Sequence, residues 1–380
     1  MEFRLCWWIR LRRLHDWCAV KNLGLHQARR ILVRSVNWVG DAVMATAAIG
    51  AIREQFPQAE ITLLANPLVS QLFSPHPWVD RVITFDRNGA HRGITGKLRL
   101  AAELRRQAFD AAIILPNSFD SALVPWLAGI PIRLGKSSDG RGLLLSGRYR
   151  PDERASGCHE VQYYLGLVNH FGISGQASVP FLCTTPAEDD AARALLAGHA
   201  IQAGDFILGV NPGAAFGSAK RWYPERFAEV ARHLIRERQA KVVIFGGPGE
   251  TDIAAEISGL LNGDCLNLAG TTSVRGLMAL IRNCQLFVTN DSGPMHIAAA
   301  FGVPLVAVFG STDHATTSPY TERAIVVRKA CDCAPCKLRE CPSDHRCMTA
   351  VTAADVITAA QQLLEKTSRI PWKPPTPSNG

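Results

Sequence analysis

The sequence contains no zinc-finger spacing, no RNA-recognition aromatic motif and no basic heptad helix. Its formal charge of +8, from 41 basic and 33 acidic residues, therefore does not single out nucleic acid. A moderate excess of this kind suits anionic ligands or an anionic membrane surface. No short-period repeat is present, and the G-x-G-x-x-G pattern is missing after the first strand-like run, which disfavours a dinucleotide cofactor. The opening stretch MEFRLCWWIRLRRLHDWCAVKNLGLHQARR lacks an unbroken apolar run, because arginines interrupt each one. A secretory signal or membrane span is accordingly not expected there. With no export signal, the eleven cysteines argue for a reducing cytosol and against a disulfide framework.

What is present is ordinary globular composition, 47% hydrophobic and 19% charged over 380 residues, enough for two cored domains. Residues 1–30 read as an extension, either disordered or lying on a membrane surface. As a helix it would gather Trp7, Leu11, Leu14 and Cys18 on one face. From Arg30 the chain alternates apolar runs with amphipathic stretches (ILVRSV, DAVMATAAIGAIREQF, EITLLAN, RVITFD), which is β-α-β grammar. A second series opens at FILGVNPG and runs to PLVAVFGS. Continuous apolar strands followed by helices indicate parallel sheets covered on both faces, so two Rossmann-like domains are expected, at 31–184 and 205–350. Between them 185–204 reads as a linker with a helix from about Pro186. A last helix at 351–367, capped by Thr352 or Asp355, precedes a proline-rich tail at 368–380 that is not expected to be ordered.

The stretch VTNDSGPMHIAAAFGVP, Val288 to Pro304, places Asp291, Ser292 and Gly293 between a buried strand and a helix. The carboxyl end of a parallel strand is where open α/β sheets bind ligands, and a helix start offers free N–H groups to phosphate. Pro294 fits the first helical position. Alternatively, Asp291 or Ser292 merely caps the helix and His296 is a packed core histidine. NPGAAFGSAKRWYPERF repeats the arrangement after the preceding strand and adds Lys220, a plausible cation for a pyrophosphate. FGGPGETD, with Glu250, makes a third such loop. In the first half, Gly40 and Asp41 introduce a helix directly after the first strand, which sets the Asp41 carboxylate either as a cap or at the ligand-binding edge.

Five cysteines crowd into CDCAPCKLRECPSDHRC: Cys331, Cys333, Cys336, Cys341 and Cys347, with His345 among them. The spacing leaves three readings open: a zinc site, a cysteine-rich substrate loop or a redox-labile pair.

Taken together, ILVRSVNWVGDAVMATAAIGAIREQFPQAEITLLA, LLPNSFDSALVPWLAGIPIRLG, GVNPGAAFGSAKRWYPERFAEVA, VTNDSGPMHIAAAFGVPLVAVFGSTD and the cysteine stretch resemble the lipopolysaccharide heptosyltransferases of glycosyltransferase family 9, nearest the heptosyltransferase II branch. The likeness runs from about Ile31 to about Lys366. It implies an α/β GT-B fold, two facing Rossmann-like domains with a cleft between them, and a last helix packing back toward the first domain. It also implies an inverting transferase that takes heptose from ADP-L-glycero-D-manno-heptose to the phosphorylated inner core of lipopolysaccharide, the second heptose in particular. The setting implied is the cytoplasm, peripheral to the inner membrane.

By the same resemblance Asp41 is the general base and Lys220 meets the diphosphate. Asp291, Ser292, Gly293 and His296 form the donor turn, Thr272 lies in the adenine loop, and Glu250 is a candidate for ribose or sugar hydroxyls. Asn37 and Trp38 flank the base, while Arg92, Lys136 and Arg141 are candidates for acceptor phosphates. No cofactor is required and no metal ligand is assigned; a divalent ion would only screen acceptor phosphates. The alternatives are a first-heptose transferase, another nucleotide-sugar enzyme such as an epimerase, and a non-catalytic nucleotide-sugar-binding protein.

Overall fold

The computed structural model describes residues 24–151 and 157–368. The expected surface helix around Trp7 to Cys18, and most of the expected tail, lie outside the described residues. The chain divides between Ser178 and Val179 into two compact units.

In the first unit, six parallel strands run β1 (Arg30–Arg34), β2 (Glu60–Ala65), β3 (Arg81–Thr84), β4 (Ala111–Ile114), β5 (Ile132–Lys136) and β6 (Gly147–Tyr149). Their spatial order is β3-β2-β1-β4-β5-β6, so the order reverses between β1 and β4. Four principal helices accompany them: α1 (Val39–Gln55), α2 (Gly93–Arg106), α3 (Phe119–Leu127) and α4 (Glu160–His170). Helix α1 is apolar all round, and every residue from Ala42 to Ile52 is buried. A helix of that composition must be covered on several sides; α4 packs on it, and a side chain at Gly50 would collide with Ala177 and press on Trp78. The start of α1 is thereby fixed at the carboxyl edge of the sheet.

The second unit repeats the plan. Strands β7 (Ile207–Asn211), β8 (Lys241–Ile244), β9 (Leu266–Asn267), β10 (Leu286–Asn290), β11 (Leu305–Val308) and β12 (Ala324–Val327) are parallel, in the order β12-β11-β10-β7-β8-β9. The reversal falls between β7 and β10. Its principal helices are α5 (Pro186–Gly198), α6 (Pro224–Arg238), α7 (Thr251–Leu260), α8 (Val274–Arg282), α9 (Gly293–Ala300) and α10 (Ala353–Ser368). Each unit is Rossmann-like, and the pair makes the expected α/β GT-B fold.

The division between the units falls earlier than the sequence reading placed it. Helix α5 begins at Pro186 behind a capping box of Thr185 and Glu188, as the proline and acidic first turn led one to expect. The segment is not a loose linker, however: the second unit already starts at Val179, and α5 is tied to α8 by the forked Glu188–Arg275 pair, 2.5 and 2.7 Å, and by Asp189–Arg282 at 2.6 Å. Arg275 holds the Glu188 carboxyl down at about 2. Helix α10 starts at reciprocal bonds between Thr352 and Asp355. Its buried face, Ala353, Val356, Ala359, Ala360 and Leu363, lies in the core of the second unit against α6, β11 and β12.

Candidate functional site

In the second unit the loops after five neighbouring strands bring their polar residues to one sheet edge, around the point where strand order reverses. Such switch points leave a crevice between loops that diverge to opposite faces. After β10, Asp291 is 4% exposed and takes two bonds on one oxygen, from Lys220 Nζ at 2.6 Å and from Thr312 Oγ1 at 2.6 Å. The Lys220 ammonium also lies over the Phe216 ring, 5.0 Å from its centre. Loops after β7, β10 and β11 are thus locked together by one buried charge pair.

Ser292 is the cap residue of α9, yet its side chain does not cap the helix. Its hydroxyl lies 3.1 Å from both Asn211 Nδ2 and Thr289 Oγ1. The reading of Asp291 or Ser292 as a plain helix cap is therefore corrected: no side chain caps the start of α9 at Gly293. Pro294 lacks a donor there, and the other amides of the first turn supply the partial positive charge that suits an anion. His296, one turn on, is buried. Glu250 accepts from the Gly247 amide at 2.7 Å and lies directly on Gly213, where a side chain of any size would strike its carboxylate. Gly213 thus brings the β7 loop against the β8 loop. Thr272 follows Gly270, a left-handed residue bonded to Gly246, and half-buried it joins the same edge after β9.

In the first unit, Asp41 sits half-buried in the first turn of α1, after Asn37 and Trp38, both exposed. The turn is braced from below by Arg34, which donates to Ser35 O, Leu64 O and Asn37 Oδ1, while Asn66 Nδ2 donates to Asn37 O at 2.7 Å. Burial lowers the Arg34 guanidinium to about 10, against the pull of Asp120. Beside Asp41 stands a carboxylate that the sequence reading missed, Glu160 in the first turn of α4. Burial raises its affinity for a proton, and repulsion from Asp41 raises it further; Lys136 and a bond from Tyr164 act the other way. Tyr163 completes the group: Lys136 Nζ lies 5.4 Å from its ring centre, and its hydroxyl donates to Asn117 Oδ1 at 2.7 Å.

The structure thus brings Asp41 and Lys136 into one cluster and leaves Arg92 exposed at the cap of α2. Arg141 is a correction. It is fully buried, and its guanidinium donates to Lys136 O, Pro116 O, Ser118 O and Ser121 Oγ. It braces the loops after β4 and β5, and its charge is not presented to an acceptor phosphate. Glu160 escaped notice because helix α4 lies far along the chain from Asp41; Thr312 did so because only the fold carries it to Asp291.

The cysteine segment packs on the Lys220 loop. Arg339 O accepts from the Ala219 amide at 2.9 Å and leaves no room for a side chain at Gly217; the Arg339 guanidinium shares the Phe216 ring with Lys220. His345 Nε2 is 3.0 Å from Ala219 O, which can only accept, so that nitrogen carries the hydrogen and Nδ1 is left to accept from Tyr223 at 3.4 Å. Cys331 and Cys333 sulfurs lie 3.3 Å apart, and Cys347 is pushed up to about 11 by burial and the neighbouring thiols. Among the described residues no three Cys, His, Asp or Glu side chains are placed to hold a metal ion. The fold adds a role outside the three readings left open, a buttress of the Lys220 loop.

The family described as Glycosyltransferase family 9 (heptosyltransferase) matches residues 97–346. The chain is 35% identical over 307 residues to lipopolysaccharide heptosyltransferase 2 of Escherichia coli and 34% identical over 307 residues to that of Salmonella typhimurium, in each case covering 79% of this chain and 88% of the relative. The solved structure of E. coli ADP-heptose LPS heptosyltransferase II superposes with a TM-score of 0.75 at 32% identity, covering 89% of this chain and 99% of that one. With two Rossmann-like units, polar residues gathered at both switch points and this degree of similarity, the chain belongs to glycosyltransferase family 9 and is a glycosyltransferase.

Proposed function

We propose that this enzyme moves L-glycero-D-manno-heptose from ADP-heptose to the phosphorylated inner core of lipopolysaccharide, adding the second heptose with inversion at the anomeric carbon. The observation that carries the donor half is the Asp291–Lys220 pair beside the uncapped start of α9. A fixed ammonium and free helix amides at one switch point match a sugar diphosphate, which gains charge as it leaves.

The acceptor half rests on Asp41. An acceptor hydroxyl attacks the anomeric carbon, Asp41 takes its proton, and the bond to the diphosphate oxygen breaks as ADP departs. Glu160 strengthens the case, since repulsion between two carboxylates makes the pair hold a proton more readily than either would alone. Lys136, held over Tyr163 in the same cluster, faces the acceptor phosphate; Asn37, Trp38 and Arg92 line its approach. Glu250 and Thr272 serve the sugar hydroxyls and adenine, and His296 supports the donor turn from within. Lys220 and the start of α9 supply the positive charge, so transfer proceeds without a metal and survives chelation. The enzyme works at the cytoplasmic face of the inner membrane. Among the described residues no helix is long and apolar enough to cross a bilayer.

Mass-spectrometric detection of product, with ADP-heptose as donor and either a mono-heptosylated or a heptose-free core as acceptor, tests the proposal. A mass increase of one heptose on the first acceptor alone is expected. Product on the second acceptor alone moves the assignment to the first heptose, and donor consumption with no heptosylated product removes transfer altogether.

A further inference from the structure

Ten large hydrophobic side chains are exposed among the described residues, and five of them lie on one face of the first unit: Ile94, Leu98, Phe119, Trp126 and Leu143. Ile94 and Leu98 are one turn apart on α2, and Phe119 and Trp126 two turns apart on α3, so each pair shares a helix face. The two helices pack together and are joined by the Lys97–Asp120 ion pair. That pair holds the α2 turn that carries Leu98 next to the α3 turn that carries Phe119. Leu143 stands in the single turn Arg141–Leu144, which packs on α3; Arg141 pins it there through its bonds to Pro116, Ser118 and Ser121. Ile94 and Leu143, 78% and 86% exposed, are the most exposed large apolar residues described. The face is held rigid by buried bonds while its apolar side chains stand in water.

Its charge identifies what covers it. Helix α2 carries Lys97, Arg99, Arg105 and Arg106, with Arg92 at its cap, against a single acid, Glu103. With Lys97 neutralised by Asp120, the exposed arginines Arg92, Arg99 and Arg106 form one stripe of α2 beside Ile94 and Leu98. A second copy of the chain docked across a two-fold axis would set arginines against arginines. Anionic headgroups complement them, while the apolar side chains reach the acyl boundary and the Trp126 ring suits the interface between the two.

We propose that the α2–α3 face, together with Leu143, is the surface by which the protein docks on an anionic bilayer. The proposal deepens the acceptor reading above and rests on it for its purpose. Helix α3 follows Asn117, the residue that holds Tyr163, so the docked face and the acceptor cluster are consecutive along the same sheet edge. A lipid-anchored acceptor would then meet Asp41 without leaving the membrane.

The test is co-sedimentation of the full chain with vesicles of phosphatidylcholine alone or mixed with phosphatidylglycerol. The wild type is expected to bind the mixed vesicles, more weakly at high salt, and to bind neutral vesicles poorly. The triple variant Ile94→Ser, Leu98→Ser, Leu143→Ser is expected to lose at least about tenfold in affinity, and Arg99→Gln roughly fivefold, corresponding to about 1 kcal/mol per basic residue. Transfer to a soluble, delipidated acceptor and the melting temperature should stay unchanged in both. Unaltered vesicle binding by the triple variant overturns the proposal. So does a wild-type dimer that the triple variant converts to monomer, which would make the face a contact between copies. Absence of transfer to the soluble acceptor by the wild type counts against the functional assignment instead, and vesicle binding is read independently of it.

Discussion

Each unit carries an aspartate after one of the two strands that flank its switch point. Asp41 follows β1 and Asp291 follows β10, each at the start of a helix and each beside the point where its sheet reverses strand order. Their surroundings make them chemically different. Asp291 is buried against an ammonium and a hydroxyl, so its charge is matched, and its work is to hold Lys220 and three loops in register. Asp41 is half-buried beside a second carboxylate, Glu160, whose proton affinity it raises and Lys136 lowers. A strand-turn-helix element thus carries a clamp in one unit and a candidate base in the other. Asp291 is paired with the Lys220 ammonium, and Asp41 has the Glu160 carboxylate beside it.

Removing the base should give the largest effect. Asp41→Asn is expected to lower transfer by roughly 10²–10⁴-fold while calorimetric affinity for ADP-heptose stays within about twofold, as for a group whose loss leaves donor binding intact. Turnover equal to wild type would end the distinction between the two aspartates.

Next comes the clamp. Lys220→Ala should cost roughly a hundredfold in kcat, about 3 kcal/mol, raise the KM for donor, and lower the melting temperature because Asp291 is left buried without its partner. Adding Asp291→Asn should restore much of the melting temperature and none of the activity. If the double variant recovers transfer, Lys220 serves only to neutralise Asp291.

Arg141→Ala should act through stability, losing on the order of 3 kcal/mol in denaturant unfolding as a multiply bonded buried guanidinium is removed. A large fall in acceptor affinity with unchanged stability would return Arg141 to the binding surface.

Glu160→Gln sharpens the comparison with the smallest effect. Turnover should fall several-fold, and the acid limb of the pH profile should simplify from two ionisations to one. Because the folded carboxyl of Glu160 is raised above its ordinary value of 4.5, its ionisation opposes folding once the pH exceeds that value. The glutamine variant should therefore melt higher than wild type at neutral pH, and the difference should vanish below about pH 4.5. Superimposable pH profiles would remove Glu160 from the cluster.

Much of this was legible in advance because strand and helix periodicity are local properties. Pro186, Pro224 and Pro294 each mark a helix start, and the apolar runs mark buried parallel strands, so Asp41, Lys220, Glu250 and Asp291 fall at strand ends on local pattern, while Thr272 was placed by the family resemblance. Arg141 shows the limit. As a letter in a glycine-rich loop it is indistinguishable from a surface arginine, and only the carbonyls of Pro116 and Ser118 reveal it as a brace. Glu160 and Thr312 carry no local signature at all.

The sequence by itself determined the two parallel sheets, their order of elements and the polar residues at their carboxyl edges, since each follows from hydrophobic period and from glycine and proline placement within a few residues. Tertiary structure alone decided which charges meet. Proton affinity, ion pairing and the stranding of five apolar side chains around Arg99 depend on neighbours distant along the chain, and these are fixed only when the helices close on their sheets.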